Sequence, residues 1–184
     1  MRLPLVLLLF AVLGLVSAVP QPAGYLMGPV HGTLPASIAG GAVIDTPALA
    51  ALLRRGSVVL LDVLPVPIRP PGLVPGAPWL PAPHEDIPGS IWIPGAGGGA
   101  LAPAEDAFLR QRLAALTGND RDHVLVVYCR QDCYLSWNAA KRAISYGYRH
   151  VYWYNGGIDA WRAAGLPRSA TSPVEPRGPA TRVE

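Results

Sequence analysis

The side chains best suited to covalent chemistry are two cysteines, Cys129 and Cys133, four residues apart. Between them lie Arg130, Gln131 and Asp132, a short link from a strand-forming run, Val124 to Tyr128, to a helix expected over residues 135–146. A thiol at the carboxyl end of a buried strand, just before a helix N-terminus, sits where open α/β sheets bind their ligands. Amide N–H groups of the loop and first helical turn would face the Cys129 sulfur and stabilise a thiolate and any anion beside it. Arg130 adds positive charge there, whereas Asp132 opposes it, since a neighbouring carboxylate raises a thiol pKa. A helix-like turn separates Cα atoms four residues apart by about 6 Å, inside disulfide range. So small a ring adds little stability by chain entropy. The pair therefore reads as reactive rather than as a staple.

The other reactive side chains carry weaker signals. Two cysteines without further ligands at nearby spacing do not make a metal site, so no metal is assigned, and no cofactor either. His84, in a proline-rich stretch, and His123 and His150, beside expected strands, read as surface histidines. Trp92, Trp137, Trp153 and Trp161 read as core. Asp62 reads as a loop cap at a strand end. Gly95 to Gly99 lacks the Lys and Ser/Thr of a phosphate loop.

The elements that position the cysteines follow from the pattern. Gly41 to Asp45 is a short strand, followed by a helix with Thr46 as N-cap and Pro47 as its first residue, ending near Gly56. Ser57 to Val63 reads as a buried parallel strand. Residues 65–83 hold eight prolines and no period, a stiff insertion rather than an element. Residues 87–94 form a turn and a strand. Pro103 opens a helix with Phe108, Leu109, Leu113 and Leu116 on its apolar face, closed by Gly118. Val151 to Tyr154 is another strand, and Gly157 to Ala164 a last short helix. This alternation predicts an α/β fold: three layers on a mainly parallel, five-stranded sheet.

The chain has 184 residues and a formal net charge of +3, too weak to imply a nucleic-acid partner. Its first 18 residues follow the plan of a secretory signal peptide, with Arg2, an apolar run from Leu3 to Leu15, and small residues to a cleavage point after Ala18. That predicts a periplasmic protein with no membrane segment after cleavage. Residues 19–42 are expected to be an extended segment lying on the domain, or partly disordered, 43–168 to form the domain, and 169–184 to be a flexible tail.

Four motifs, in order, resemble the rhodanese-like family: Leu60-Leu61-Asp62-Val63, Ile87-Pro88-Gly89-Ser90, Tyr128-Cys129-Arg130 and Gly156-Gly157-Ile158-Asp159-Ala160-Trp161. The resemblance implies a sulfurtransferase or persulfide carrier, with Cys129 as nucleophile and a small sulfur-containing anion as substrate. Cys133 would be the resolving thiol. Arg130, Gln131, Asp132, Tyr134 and Ser136 would bind the substrate. The run from Cys129 to Ala143, with Val43-Ile44-Asp45-Thr46 and Tyr146-Gly147-Tyr148, is also similar to an exported rhodanese-like subfamily. That subfamily is named for pyrroloquinoline quinone-dependent catabolism and a Cys-Cys-Trp motif, and Tyr134 stands here where its Trp is expected. It implies a quinoprotein alcohol or methanol dehydrogenase, or its cytochrome, as partner. Departures from the wider family matter too. Asp132 stands where the usual loop has Gly, and Ser136 comes one position late. Leu64 replaces the usual Arg, which puts thiosulfate selection in doubt. Leu135 stands where the family's phosphatases need Arg. Two alternatives to sulfur transfer remain: a thiol–disulfide redox partner that uses both cysteines, and a non-catalytic accessory module.

Overall fold

The structure, a computed structural model, describes residues 19–174. The expected leader, its cleavage point and the end of the tail lie outside them. Five strands form one sheet: β1 (Ala42–Val43), β2 (Val58–Asp62), β4 (Ile91–Trp92), β5 (Val124–Tyr128) and β6 (Val151–Tyr154). Their order is β1-β6-β5-β2-β4, and every pairing is parallel. Four helices cover the faces: α1 (Thr46–Arg55), α2 (Pro103–Thr117), α3 (Tyr134–Ser145) and α4 (Gly157–Ala163). The expected three-layer α/β arrangement on a five-stranded sheet is what forms.

The reason lies in β5. Its residues Leu125 to Tyr128 are all buried, so both faces of the strand must be covered. Leu125 and Val127 point into a core with Leu61, Leu109, Leu113, Trp137 and Trp153, beneath α2 and α3. Val126 and Tyr128 point the other way, into a core with Leu49, Leu60, Tyr154, Ile158 and Trp161, beneath α1 and α4. The four tryptophans read as core are all buried.

Local chemistry sets the helix ends, with one correction. The N-cap of α1 is Asp45 rather than Thr46: its carboxylate accepts the Ala48 N–H at 2.9 Å. Thr46 is already helical, and its hydroxyl instead meets the Tyr154 hydroxyl at 2.7 Å. The α2 helix opens on Pro103 and closes on Gly118 in the left-handed conformation (φ 61°).

Two segments were not foreseen as structured. Glu85–Asp86 (β3) and Ser169–Ala170 (β7) form a small antiparallel ribbon. The start of the expected flexible tail is therefore held, and it continues through Thr171 N–H to the His84 carbonyl and Val174 N–H to the Trp92 carbonyl. His84 is also no surface residue. It stacks on Trp92, with ring centroids 3.7 Å apart, and its Nε2 lies 2.8 Å from the buried Asp62 carboxylate. Asp62 additionally accepts the Leu64 N–H at 2.8 Å, the loop cap expected of it.

Candidate functional site

Cys129 follows β5 directly, at the carboxyl end of the sheet, and Cys133 is the N-cap residue of α3. The two are joined in a disulfide, with Cα atoms 6.2 Å apart. Both are fully buried, at 0% and 1% exposure, so neither sulfur meets a reagent until something above it moves.

The loop closes because Asp132 adopts a left-handed conformation (φ 56°), one that Asp tolerates better than most residues with a side chain. On one flank, α4 grips the loop. The Asp159 carboxylate accepts from Arg130 Nε at 3.1 Å, from Arg130 Nη2 at 3.2 Å and from the Gln131 N–H at 3.1 Å. The Ile158 N–H donates to the Cys129 carbonyl at 2.9 Å. Burial raises the Asp159 pKa, but the bonds from Arg130 and Gln131 outweigh it and hold the carboxyl below its ordinary value. Gly157 (φ 56°) permits this approach, since a Cβ there would lie 2.4 Å from the Cys129 carbonyl oxygen.

On the other flank lies the N-terminal segment, which acts as a strap over the loop. The Gly32 N–H donates to the Asp132 carbonyl and the Tyr134 N–H to the Val30 carbonyl, both at 3.0 Å, so His31 stands opposite Cys133 in a single antiparallel bridge. The α3 helix holds this strap along its length. Asn138, fully buried, accepts the Leu26 N–H at 2.8 Å and donates to the carbonyls of Leu26 and Gly97, each at 2.9 Å. Trp137 Nε1 donates to the Ser37 carbonyl at 3.1 Å. Lys141 Nζ donates to three consecutive carbonyls, Pro22, Ala23 and Gly24, at 2.7–2.9 Å. The guanidinium of Arg142 lies 3.9 Å from the Tyr25 ring centroid. The glycine loop after β4 serves the same packing. A Cβ on Gly97 would run into the backbone of Leu135 at the start of α3.

The expected site residues thus divide. Gln131 and Asp132 line an open cleft of about 820 Å³ beside the loop, together with His31 to Ala36 of the strap and Asn155 and Gly156. Arg130 is paired with Asp159. Ser136 is buried: its hydroxyl donates to the Cys133 carbonyl at 3.1 Å and accepts from Trp153 Nε1 at 2.9 Å. Tyr134 packs partly buried against the core. The amides of Gln131 and Tyr134, expected to face the Cys129 sulfur, are spent on Asp159 and Val30. Among the described residues no cluster of three or more metal-ligating side chains occurs. The sequence reasoning missed Asp159 as a loop anchor, and it allowed residues 19–42 to lie on the domain without foreseeing that they cross the cysteine loop. The first signal was a carboxylate two residues after the Gly156-Gly157 pair.

The remaining motifs meet behind the cysteines. Tyr128 carries its hydroxyl to the Ile87-to-Ser90 turn, where it accepts the Ile87 N–H at 3.0 Å and lies 2.7 Å from the Ser90 hydroxyl. Burial pushes its phenol well above the ordinary range. Residues 45–164 match the family described as the rhodanese-like domain. The chain belongs to the rhodanese-like domain family. A curated relative, the HTH-type transcriptional regulator Rv0324 of Mycobacterium tuberculosis, is 36% identical over 143 residues, which cover 73% of this chain. The chain spans about half (49%) of that relative's length. Among solved structures, YnjE is 22% identical with a TM-score of 0.51, over 72% of this chain and 32% of its own. The polysulfide-sulfur transferase homodimer of Wolinella succinogenes is 23% identical with a TM-score of 0.44, over 73% and 82%. At these identities the likeness to YnjE is one of fold. In this rhodanese domain Asp132, at the loop position where the resemblance implies Gly, has a positive φ, the backbone conformation that Gly takes freely.

Proposed function

We propose that the protein is a thiol–disulfide exchange partner built on a rhodanese domain, with Cys129 and Cys133 cycling between dithiol and disulfide. The observation that carries this reading is the bonded pair itself, at the carboxyl end of β5, with its Cα atoms 6.2 Å apart. Two further features support it. The Arg130 cation is engaged with Asp159, and two of the loop amides are bonded away from the sulfurs. An anionic persulfide needs such groups turned toward it. The exchange chemistry calls for an oxidising, exported compartment, in keeping with the leader-like N-terminus. The partner proposed there is a quinoprotein alcohol or methanol dehydrogenase or its cytochrome.

The family gives a second reading, sulfur transfer from a small sulfur-containing anion with Cys129 as nucleophile. One experiment separates the two. The purified chain is equilibrated in dithiothreitol buffers of graded potential and its thiols are trapped; a second portion is reduced, freed of dithiothreitol and incubated with thiosulfate; and intact masses are measured for wild type, Cys129→Ser and Cys133→Ser in both. Exchange predicts a reversible two-proton step with one midpoint, lost in either variant. A gain of one sulfur atom that requires Cys129 and survives Cys133→Ser overturns exchange in favour of sulfur transfer.

A further inference from the structure

The strap crosses the cysteine loop in a specific register. Its two hydrogen bonds, from Gly32 to Asp132 and from Tyr134 to Val30, flank the His31–Cys133 pair without joining those two residues directly. This is the non-hydrogen-bonded pair of an antiparallel ladder, in which opposed Cα atoms approach to about 4.5 Å and the side chains stand close on one side. Disulfides span Cα separations of about 4.4–6.8 Å. A cysteine at the position of His31 would therefore have its sulfur within bonding range of Cys133. His31 is exposed, and the open cleft along residues 31–36 continues from it.

From this register we propose that the Asp132 carbonyl and the Tyr134 N–H are the docking edge for a redox partner. The partner is an extended polypeptide segment with an accessible cysteine, which displaces residues 30–32 and sets its thiol in the place of His31. This deepens the exchange reading and rests on it. The step balances without an outside oxidant. The partner thiolate attacks Cys133 Sγ, the Cys129–Cys133 bond breaks, a mixed disulfide forms at Cys133, and Cys129 leaves as a thiolate that takes a proton from solvent. A second thiol of the partner then attacks the mixed disulfide, so that the partner leaves as a disulfide and Cys133 as a thiolate; in the opposite direction Cys133 attacks a partner disulfide and Cys129 resolves the mixed disulfide. Cys133 is thus the sulfur attacked and Cys129 the one that resolves. A small thiol, lacking the backbone pairing, does not gain from this edge.

The test uses the full chain in two arms. In the first, His31→Cys is combined with Cys129→Ser and treated with oxidised glutathione. The expected product is an intramolecular bond between position 31 and Cys133, read by peptide mapping. Separate glutathione adducts on the two thiols overturn the register. In the second, oxidised wild type is mixed with the heptapeptide Gly-Pro-Val-Cys-Gly-Thr-Leu, the same peptide with Pro directly after its Cys, or 2-mercaptoethanol, and quenched with N-ethylmaleimide. The expected result is a peptide adduct on Cys133 with Cys129 alkylated. Per thiolate, it should form about tenfold faster than with 2-mercaptoethanol, the scale that two net backbone hydrogen bonds supply, and faster than with the proline peptide, which lacks the N–H that meets Asp132. Equal rates, or an adduct on Cys129, overturn the docking edge. The wild-type midpoint is measured on the same samples. No reversible couple there overturns the exchange reading itself, whereas a normal couple with failed arms overturns only the docking.

Discussion

The strap and the proline insertion have similar compositions and opposite attachments. Both are rich in Pro and Gly and, the single His31 bridge aside, both lack regular elements. The strap is bonded at Leu26, Val30, Gly32 and Ser37, and Lys141 takes three more of its carbonyls. The insertion is fastened at its two ends, by Trp92 Nε1 on the Leu64 carbonyl at 2.6 Å and by His84 on Asp62. Between them its apolar side chains are left out: Ile68, Val74 and Leu80 are 82%, 72% and 92% exposed. The difference lies in what each segment meets. The α3 helix offers an amide, an indole and an ammonium on one face, and an irregular backbone settles where its polar groups find partners.

The largest expected effect comes from breaking the better-held side. Asn138→Ala leaves the Leu26 amide and two carbonyls without their partner, at a cost of about 2–4 kcal/mol. It should also speed reduction of the disulfide by dithiothreitol, because the cover lifts more often. Urea unfolding and a timed thiol assay check both, and an unchanged reduction rate would show that the strap does not gate the sulfurs. His84→Ala acts on the insertion's anchor. It removes a stacked ring and a partner of a buried carboxylate, about 1–3 kcal/mol by thermal or urea unfolding, and should leave the cysteine midpoint where it was.

The other flank of the cysteine loop sharpens the comparison further. Asp159→Asn removes a negative charge beside the loop and frees Arg130, so the thiolate gains and the midpoint should become less negative by about 30 mV, tenfold in the equilibrium constant. The same carboxylate fixes a pH dependence. Its folded pKa lies below the unfolded value, so its contribution is complete above the unfolded pKa and disappears as the pH falls through the folded one, under about pH 4. In Asp159→Asn the acid limb of stability should flatten correspondingly. The smallest effect is expected from replacing residues 68–80 with a short Gly-Ser link. Stability should change by only about 0.5 kcal/mol, since loop-closure entropy varies slowly with length.

Much of the fold was legible because strong periods survive context. Val124 to Tyr128 and Val151 to Tyr154 form strands with the expected bounds, and α2 starts and stops at its Pro and Gly signals. The two-residue strands Glu85–Asp86 and Ser169–Ala170 carry no period and exist only because they meet each other. At the site, the two cysteines and their strand-end position were readable from type and spacing. What surrounds them was not. Asn138 meets Leu26 across 112 positions of sequence. Arg130 was expected near the sulfur because it is adjacent in the chain, but a carboxylate 29 positions away holds it instead. Side-chain charge is local in sequence, and its neutralisation is not.

Lys141 is the chain's sole lysine, and it spends its amine on the carbonyls of Pro22, Ala23 and Gly24. Apart from the chain's own amino terminus, an acylating reagent therefore finds a single amine to modify, and that amine is engaged by three carbonyls while the strap lies in place. The extent of acetylation at one position becomes a footprint of the open fraction, read by mass alone and without disturbing either sulfur.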